Sequence, residues 1–101
     1  MIEELRQGDV LKIEHIKHPV LIISKDFFNS SGEIIGCPIL EKSSLGPLHI
    51  FVSTKDLKGY VQCEKLALLD LRVRGHRKIS RLNVEDIMDI SDAVQGIFDY
   101  F

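Results

Sequence analysis

A chain of 101 residues with 45% hydrophobic and 28% charged side chains has room for one modest core. It leaves no length for a second domain and is too apolar for disorder, so residues 1–101 are expected to form a single domain. The net charge of -2 excludes binding to a polyanion by bulk electrostatics, and any nucleic-acid contact has to come from a local patch.

The opening Met1-Ile2-Glu3-Glu4-Leu5-Arg6 carries acids where a signal peptide would carry an apolar run, and no apolar stretch approaches membrane-spanning length. A reducing cytoplasm is the expected setting. Cys37 and Cys63 stand far apart, outside any C-x-x-C pair and inside apolar segments. They read as small buried hydrophobes, with neither a disulfide nor a metal site expected.

Gln7-Gly8-Asp9 reads as a turn, and Val10 to Glu14 as a short strand with Leu11 and Ile13 on one face. A connection holding His15, Lys17 and His18 leads to Pro19, which suits the first position of a strand. Val20-Leu21-Ile22-Ile23 is then a strand buried on both faces. Lys25 to Gly32 mixes one helical turn with turn chemistry. Ile34 to Leu40 returns as a strand carrying Gly36 and Pro38, with a bulge or an end predicted near Pro38.

Glu41 to Pro47 is a polar loop closed by Gly-Pro, and His49 to Val52 the next strand. After Lys58-Gly59 comes Tyr60 to Glu64, where alternation turns Val61 and Cys63 to the core and Gln62 and Glu64 outward together. Leu66 to Leu71 is apolar and fits either a strand or a buried helical turn. A strand across Arg72 to Leu82 puts Arg77, Ile79 and Arg81 on one face and Lys78 and Ser80 on the other.

Asn83 starts a helix by capping the N–H of Asp86, and Glu85 and Asp86 complement its dipole. Val84, Ile87, Met88, Val94, Ile97, Phe98 and Phe101 recur at helical spacing as its apolar stripe. Several short strands followed by one helix give a mainly β chain with a small, strongly bent sheet or partly open barrel.

Two features carry chemistry. Glu64 is a candidate acid/base carboxylate, and a few residues later Arg72, Arg74, Arg77, Lys78 and Arg81 form the one dense basic run, with no acid between Leu71 and Val84. Such a run repels itself unless a polyanion or an acidic partner offsets it. His18, whose imidazole can serve as acid or base, is the candidate partner acid; His49 and His76 read as surface residues without an identifiable partner.

In order and spacing these segments resemble the MazF/PemK (Kid) toxin family, from about Gln7 to Tyr100. Gln7-Gly8-Asp9-Val10 resembles the family's opening Gly-Asp-Val, and His18-Pro19-Val20-Leu21-Ile22-Ile23-Ser24 its Arg-Pro-led strand. Asp26-Phe27-Phe28-Asn29 resembles its Asp-x-Phe-Asn turn, and Cys37-Pro38-Ile39 the strand ending Pro-(Ile/Val)-Thr. Gly59-Tyr60-Val61-Gln62-Cys63-Glu64-Lys65 is similar to Gly-Val-Val-Arg-Cys-Asp-Gln, and Leu69-Asp70 with Arg74-Gly75 to (Ile/Leu)-Asp with Ala-Arg-Gly.

The resemblance implies an SH3-like partly open barrel with a C-terminal helix, usually a homodimer, neutralised by an antitoxin protein. It implies metal-independent cleavage of single-stranded RNA in which the ribose 2′-OH attacks the adjacent phosphate, with no cofactor. Carried over residue by residue, Glu64 stands as the base and Arg74 as a phosphate ligand; His18, where the family carries Arg, is read as the acid, and the basic run Arg72, Arg74, Arg77, Lys78 and Arg81 as the RNA-binding region. Four positions depart from the family: His18 replaces an Arg, Leu40 a Thr, Gln62 an Arg, and Ala67 the Arg of a Gln-x-Arg-Thr segment. Two rival readings stay open: a barrel that has lost its catalytic site and binds RNA or a protein, and a CcdB-like gyrase poison.

Overall fold

The computed structural model describes residues 4–99. Phe101, placed above on the helix stripe, lies outside them, as do Met1, Ile2, Glu3 and Tyr100. The elements in chain order are β1 (Asp9–Ile13), β2 (Val20–Ile22), α1 (Asp26–Asn29), β3 (Glu33–Leu40), β4 (His49–Ser53), β5 (Lys58–Gln62), β6 (Ala67–Asp70), β7 (His76–Arg81) and α2 (Val84–Phe98). The apolar stretch Leu66 to Leu71 thus resolves as a strand.

All pairings are antiparallel, in the order β4-β5-β3-β2-β1-β7, with β6 also on β3. The eight-residue β3 joins the two halves of the sheet. Its first half pairs with β6 through Glu33 to Gly36, and its end pairs with β5 through Ile39 and Leu40. The predicted break near Pro38 does not occur. Pro38 pairs with Val20 on β2 and, on the other edge of β3, falls in the gap between β6 and β5, where no ladder donor is called for. Close approach explains two glycines: a Cβ at Gly36 would lie 2.8 Å from the Leu21 carbonyl oxygen, and one at Gly59 2.7 Å from that of Leu40.

The outer strands β4 and β7 form no ladder with each other. Across the seam, the Ser80 hydroxyl donates to the Thr54 hydroxyl at 2.7 Å. The sheet is therefore the partly open barrel expected from the sequence.

Both faces of β2, and of β1 apart from the exposed Lys12, are buried, because alternate side chains feed two separate cores. Val10 and Leu21 join Cys37, Ile39, Val52, Val61, Cys63, Leu82 and Ile90 in the barrel core. Leu11, Ile13, Val20 and Ile22 join Ile34 and Leu71 on the opposite side. Burying one such side chain contributes about 1.5–3 kcal/mol, so these two strands carry much of the hydrophobic stabilisation.

Asn83 caps α2 as expected, its side chain accepting the Asp86 N–H at 2.8 Å. The buried stripe is rotated from the one predicted. Ile87, Ile90, Ala93 and Val94 meet the barrel core, whereas Val84, Met88 and Phe98 stand exposed. Spacing alone could not distinguish these two flanks, since both are apolar.

Candidate active site

A short polar contact at the surface joins two residues that the sequence separates. His49 opens β4 directly opposite Gln62, the last residue of β5. Beyond that pair the Cys63 N–H donates to the Leu48 carbonyl at 2.8 Å, and the Lys65 N–H closes a turn on the Gln62 carbonyl at 3.0 Å. The turn carries Glu64 across to His49, and His49 Nε2 lies 2.7 Å from Glu64 Oε2. On its other side His49 Nδ1 lies 2.7 Å from the Ser44 carbonyl oxygen.

These contacts favour the charged ring. A carbonyl oxygen and an ionised carboxylate can only accept, and the imidazolium is the form that donates to both, with the Ser44 hydroxyl a further 3.3 Å neighbour of Nδ1. Accordingly the Glu64 hydrogen bond, helped by the Ser44 carbonyl, raises the His49 pKa above its ordinary value. The same bond holds the Glu64 pKa below its ordinary value. The side chains differ in freedom: His49 is 16% exposed and Glu64 38%.

The outward pairing of Gln62 with Glu64 is corrected. Gln62 lies on the expected face of β5 but is only 2% exposed, because the loop from Glu41 to Leu48 covers it. Its amide donates to Ser43 Oγ at 2.9 Å and to the Tyr60 carbonyl at 3.1 Å. It works as a tether for the loop that supplies Ser44 to His49. His49, read from sequence as unpartnered, is the residue that sequence reasoning missed. The available signal was its strand position opposite Gln62, which needed the β4–β5 register to be seen.

His18 lies elsewhere. With Lys17, Pro19, Leu40, Glu41, Lys42 and Lys58 it lines an open groove of about 530 Å³ whose lining does not include Glu64. The structure brings Glu64 to His49, not to His18. The groove still concerns the same face, since β5 runs from Lys58 at the groove to the turn that bears Glu64, about 13 Å at the usual rise per residue. Between them Phe51 and Tyr60 form a tilted ring pair, with centroids 5.2 Å apart, and Phe51 is 52% exposed.

The basic run is not the uncompensated patch that its sequence suggests. Arg72 makes a two-pronged contact with Asp70, both at 2.9 Å, which lowers the Asp70 pKa. Lys78 Nζ and Arg81 Nη1 both reach the Asp9 carboxylate, at 3.0 Å and 2.9 Å. A register shift opposite Val10 and Leu11 breaks the alternation predicted for β7, so residues of opposite parity converge on one acid. Arg74 and Arg77 are exposed and make no ion pair among the described residues.

The cysteines are buried, and burial pushes their thiols up to about 12 for Cys37 and about 11 for Cys63. Neither is a nucleophile at neutral pH. No cluster of three or more His, Cys, Asp or Glu suited to a metal ion occurs among the described residues.

Several solved MazF structures share this fold. The chain superposes on MazF of a MazE-MazF crystal structure from Deinococcus radiodurans with a TM-score of 0.88 at 15% identity, covering 96% of this chain and 98% of that one. It superposes on MazF crystallised without MazE from the same organism with a TM-score of 0.84 at 15% identity, covering 96% and 98%. An endoribonuclease in complex with its cognate antitoxin, from a Mycobacterial species, gives 0.81 at 17% identity, covering 93% and 94%. Comparison with curated proteins returns no match. Residues 7–98 match the family of PemK-like, MazF-like toxins of type II toxin-antitoxin systems, and the chain belongs to that family.

Proposed function

We propose that this toxin-family chain binds single-stranded RNA along the β4–β5 face and cleaves it without a metal, with Glu64 as the base that takes the ribose 2′-OH proton. The observation that carries the reading is the ionised, half-exposed Glu64 carboxylate, which has one oxygen engaged by His49 and is presented at the end of a cationic, aromatic face. Lys17, Lys42 and Lys58 in the groove suit the phosphates, and Phe51 with Tyr60 suits a stacked base. Arg74 and Arg77 remain the cations of the basic run available to RNA.

The antitoxin partner is supported by family membership and by the likeness to toxins crystallised with their antitoxins. Homodimer formation is supported by the apolar flank of α2 at Val84, Met88 and Phe98. No described helix is long and apolar enough to cross a membrane, and a cytoplasmic site of action follows from the RNA reading.

The test is incubation of the purified protein with a long single-stranded RNA in EDTA, with mapping of cut sites and end chemistry. Cyclic-phosphate and 5′-OH ends are expected from the wild type. Glu64→Gln is expected to lose about 10²–10⁴-fold in rate while still binding RNA. Arg74→Ala is expected to weaken binding and reduce its salt slope by about 1. RNA that is held but left intact by the wild type would reduce the protein to a binding module.

A further inference from the structure

We infer that His49 is the general acid of the cleavage reaction and that its direct contact with Glu64 resets both groups after each turnover. This rests on the RNA-cleavage reading above and adds the residue that reading lacks, a proton donor to the leaving oxygen.

The position of His49 fits the role. Its ring is anchored through Nδ1 to the Ser44 carbonyl at 2.7 Å and is largely covered, whereas Glu64 is the more exposed partner, at the apex of a turn. In-line displacement places the attacking and leaving oxygens on opposite sides of phosphorus, so acid and base must stand apart while the phosphate lies between them. Here one member can swing and the other stays fixed. An incoming phosphate offers the imidazolium an anion in place of the carboxylate, and it frees Glu64 to meet the 2′-OH.

The protons balance. Glu64 takes the 2′-OH proton as O2′ bonds to phosphorus; the P–O5′ bond breaks, and the His49 Nε2 proton passes to O5′. The products are a 2′,3′-cyclic phosphate and a 5′-OH, and the site is left with a neutral carboxyl and a neutral imidazole. The retained Nδ1–H to Ser44 holds the tautomer whose Nε2 is bare, ready to accept. When product leaves, the 2.7 Å contact between Nε2 and Oε2 returns the proton from Glu64 to His49 with no solvent step. The raised His49 pKa and the lowered Glu64 pKa both favour the charged form of the reset pair.

The experiment compares wild type, His49→Gln and Glu64→Gln on two RNA oligonucleotides that contain a mapped cut site. One has the natural linkage and the other has sulfur in place of the bridging O5′. A thiolate leaves without protonation. His49→Gln is therefore expected to be slowed about 10²–10⁴-fold on the natural linkage and to recover to within a few-fold of wild type on the sulfur linkage, while Glu64→Gln stays slow on both. A His49→Gln protein equally slow on both linkages would overturn the assignment and leave His49 a structural neighbour, with the RNA-cleavage reading intact. A wild type that cuts neither oligonucleotide nor the parent RNA would overturn both.

Discussion

Among the carboxylates that meet basic side chains, Asp9 and Glu64 are built in opposite ways. Asp9 is 1% exposed at its side chain, and it accepts from Lys78, from Arg81 and from the backbone N–H of Arg6 at 2.9 Å. Every part of it is occupied, and it fastens β1 to β7. Glu64 meets one side-chain donor, at Oε2, and is 38% exposed. A carboxylate with several donors around it in a dry site holds structure together, whereas one with a single donor and an open side can exchange that donor for a substrate.

Removing each acid should separate these roles. Asp9→Ala removes the covered acceptor shared by Lys78, Arg81 and the Arg6 N–H, and losing hydrogen bonds to a charged group costs about 1.5–3 kcal/mol. Its urea midpoint should fall further than that of Gln62→Ala or His49→Gln; a midpoint close to wild type would show that Asp9 is not the fastening. Gln62→Ala comes next. It deletes the amide that ties Ser43 to β5 and should cost about 1 kcal/mol, with a loss of RNA cleavage out of proportion to the stability change, because the loop it holds also holds His49.

The smallest effect lies in the pH dependence of the His49–Glu64 pair. The folded His49 pKa is raised, so its contribution is complete below the ordinary value of 6.5 and is lost as pH rises through the raised value. The folded Glu64 pKa is lowered, so its contribution is complete above the ordinary value of 4.5 and is lost as pH falls through the lowered value. The urea midpoint of wild type minus that of His49→Gln should therefore peak between pH 4.5 and 6.5 and shrink on both sides. A difference that is flat across pH would mean the pair is not charged in solution.

The sequence made the strands legible where alternation was strict, as at Leu11 and Ile13, and where a run such as Val20 to Ile22 was apolar throughout. Asn83 announced its helix by local chemistry alone. What stayed hidden depended on contacts across long separations. The covering of Gln62 by a loop, the neutralising of Lys78 and Arg81 by Asp9, and the meeting of His49 with Glu64 all require knowing which strands are neighbours. The groove lysines come from three separate segments, so no local run marked them. On α2 the difficulty was different, since two flanks carried apolar side chains and only the position of the barrel decided between Ile90 and Met88.

The pairing of β1 with β7 has a consequence for how the chain comes into being. Asp9 and Arg81 are 72 residues apart, and the first strand cannot find its last neighbour until most of the polypeptide has been synthesised. Loop closure over that distance is slow relative to the hairpin of β4 and β5. The end of the molecule that bears Glu64 and His49 thus rests on a local hairpin, whereas the opposite edge of the sheet rests on a closure that spans most of the chain.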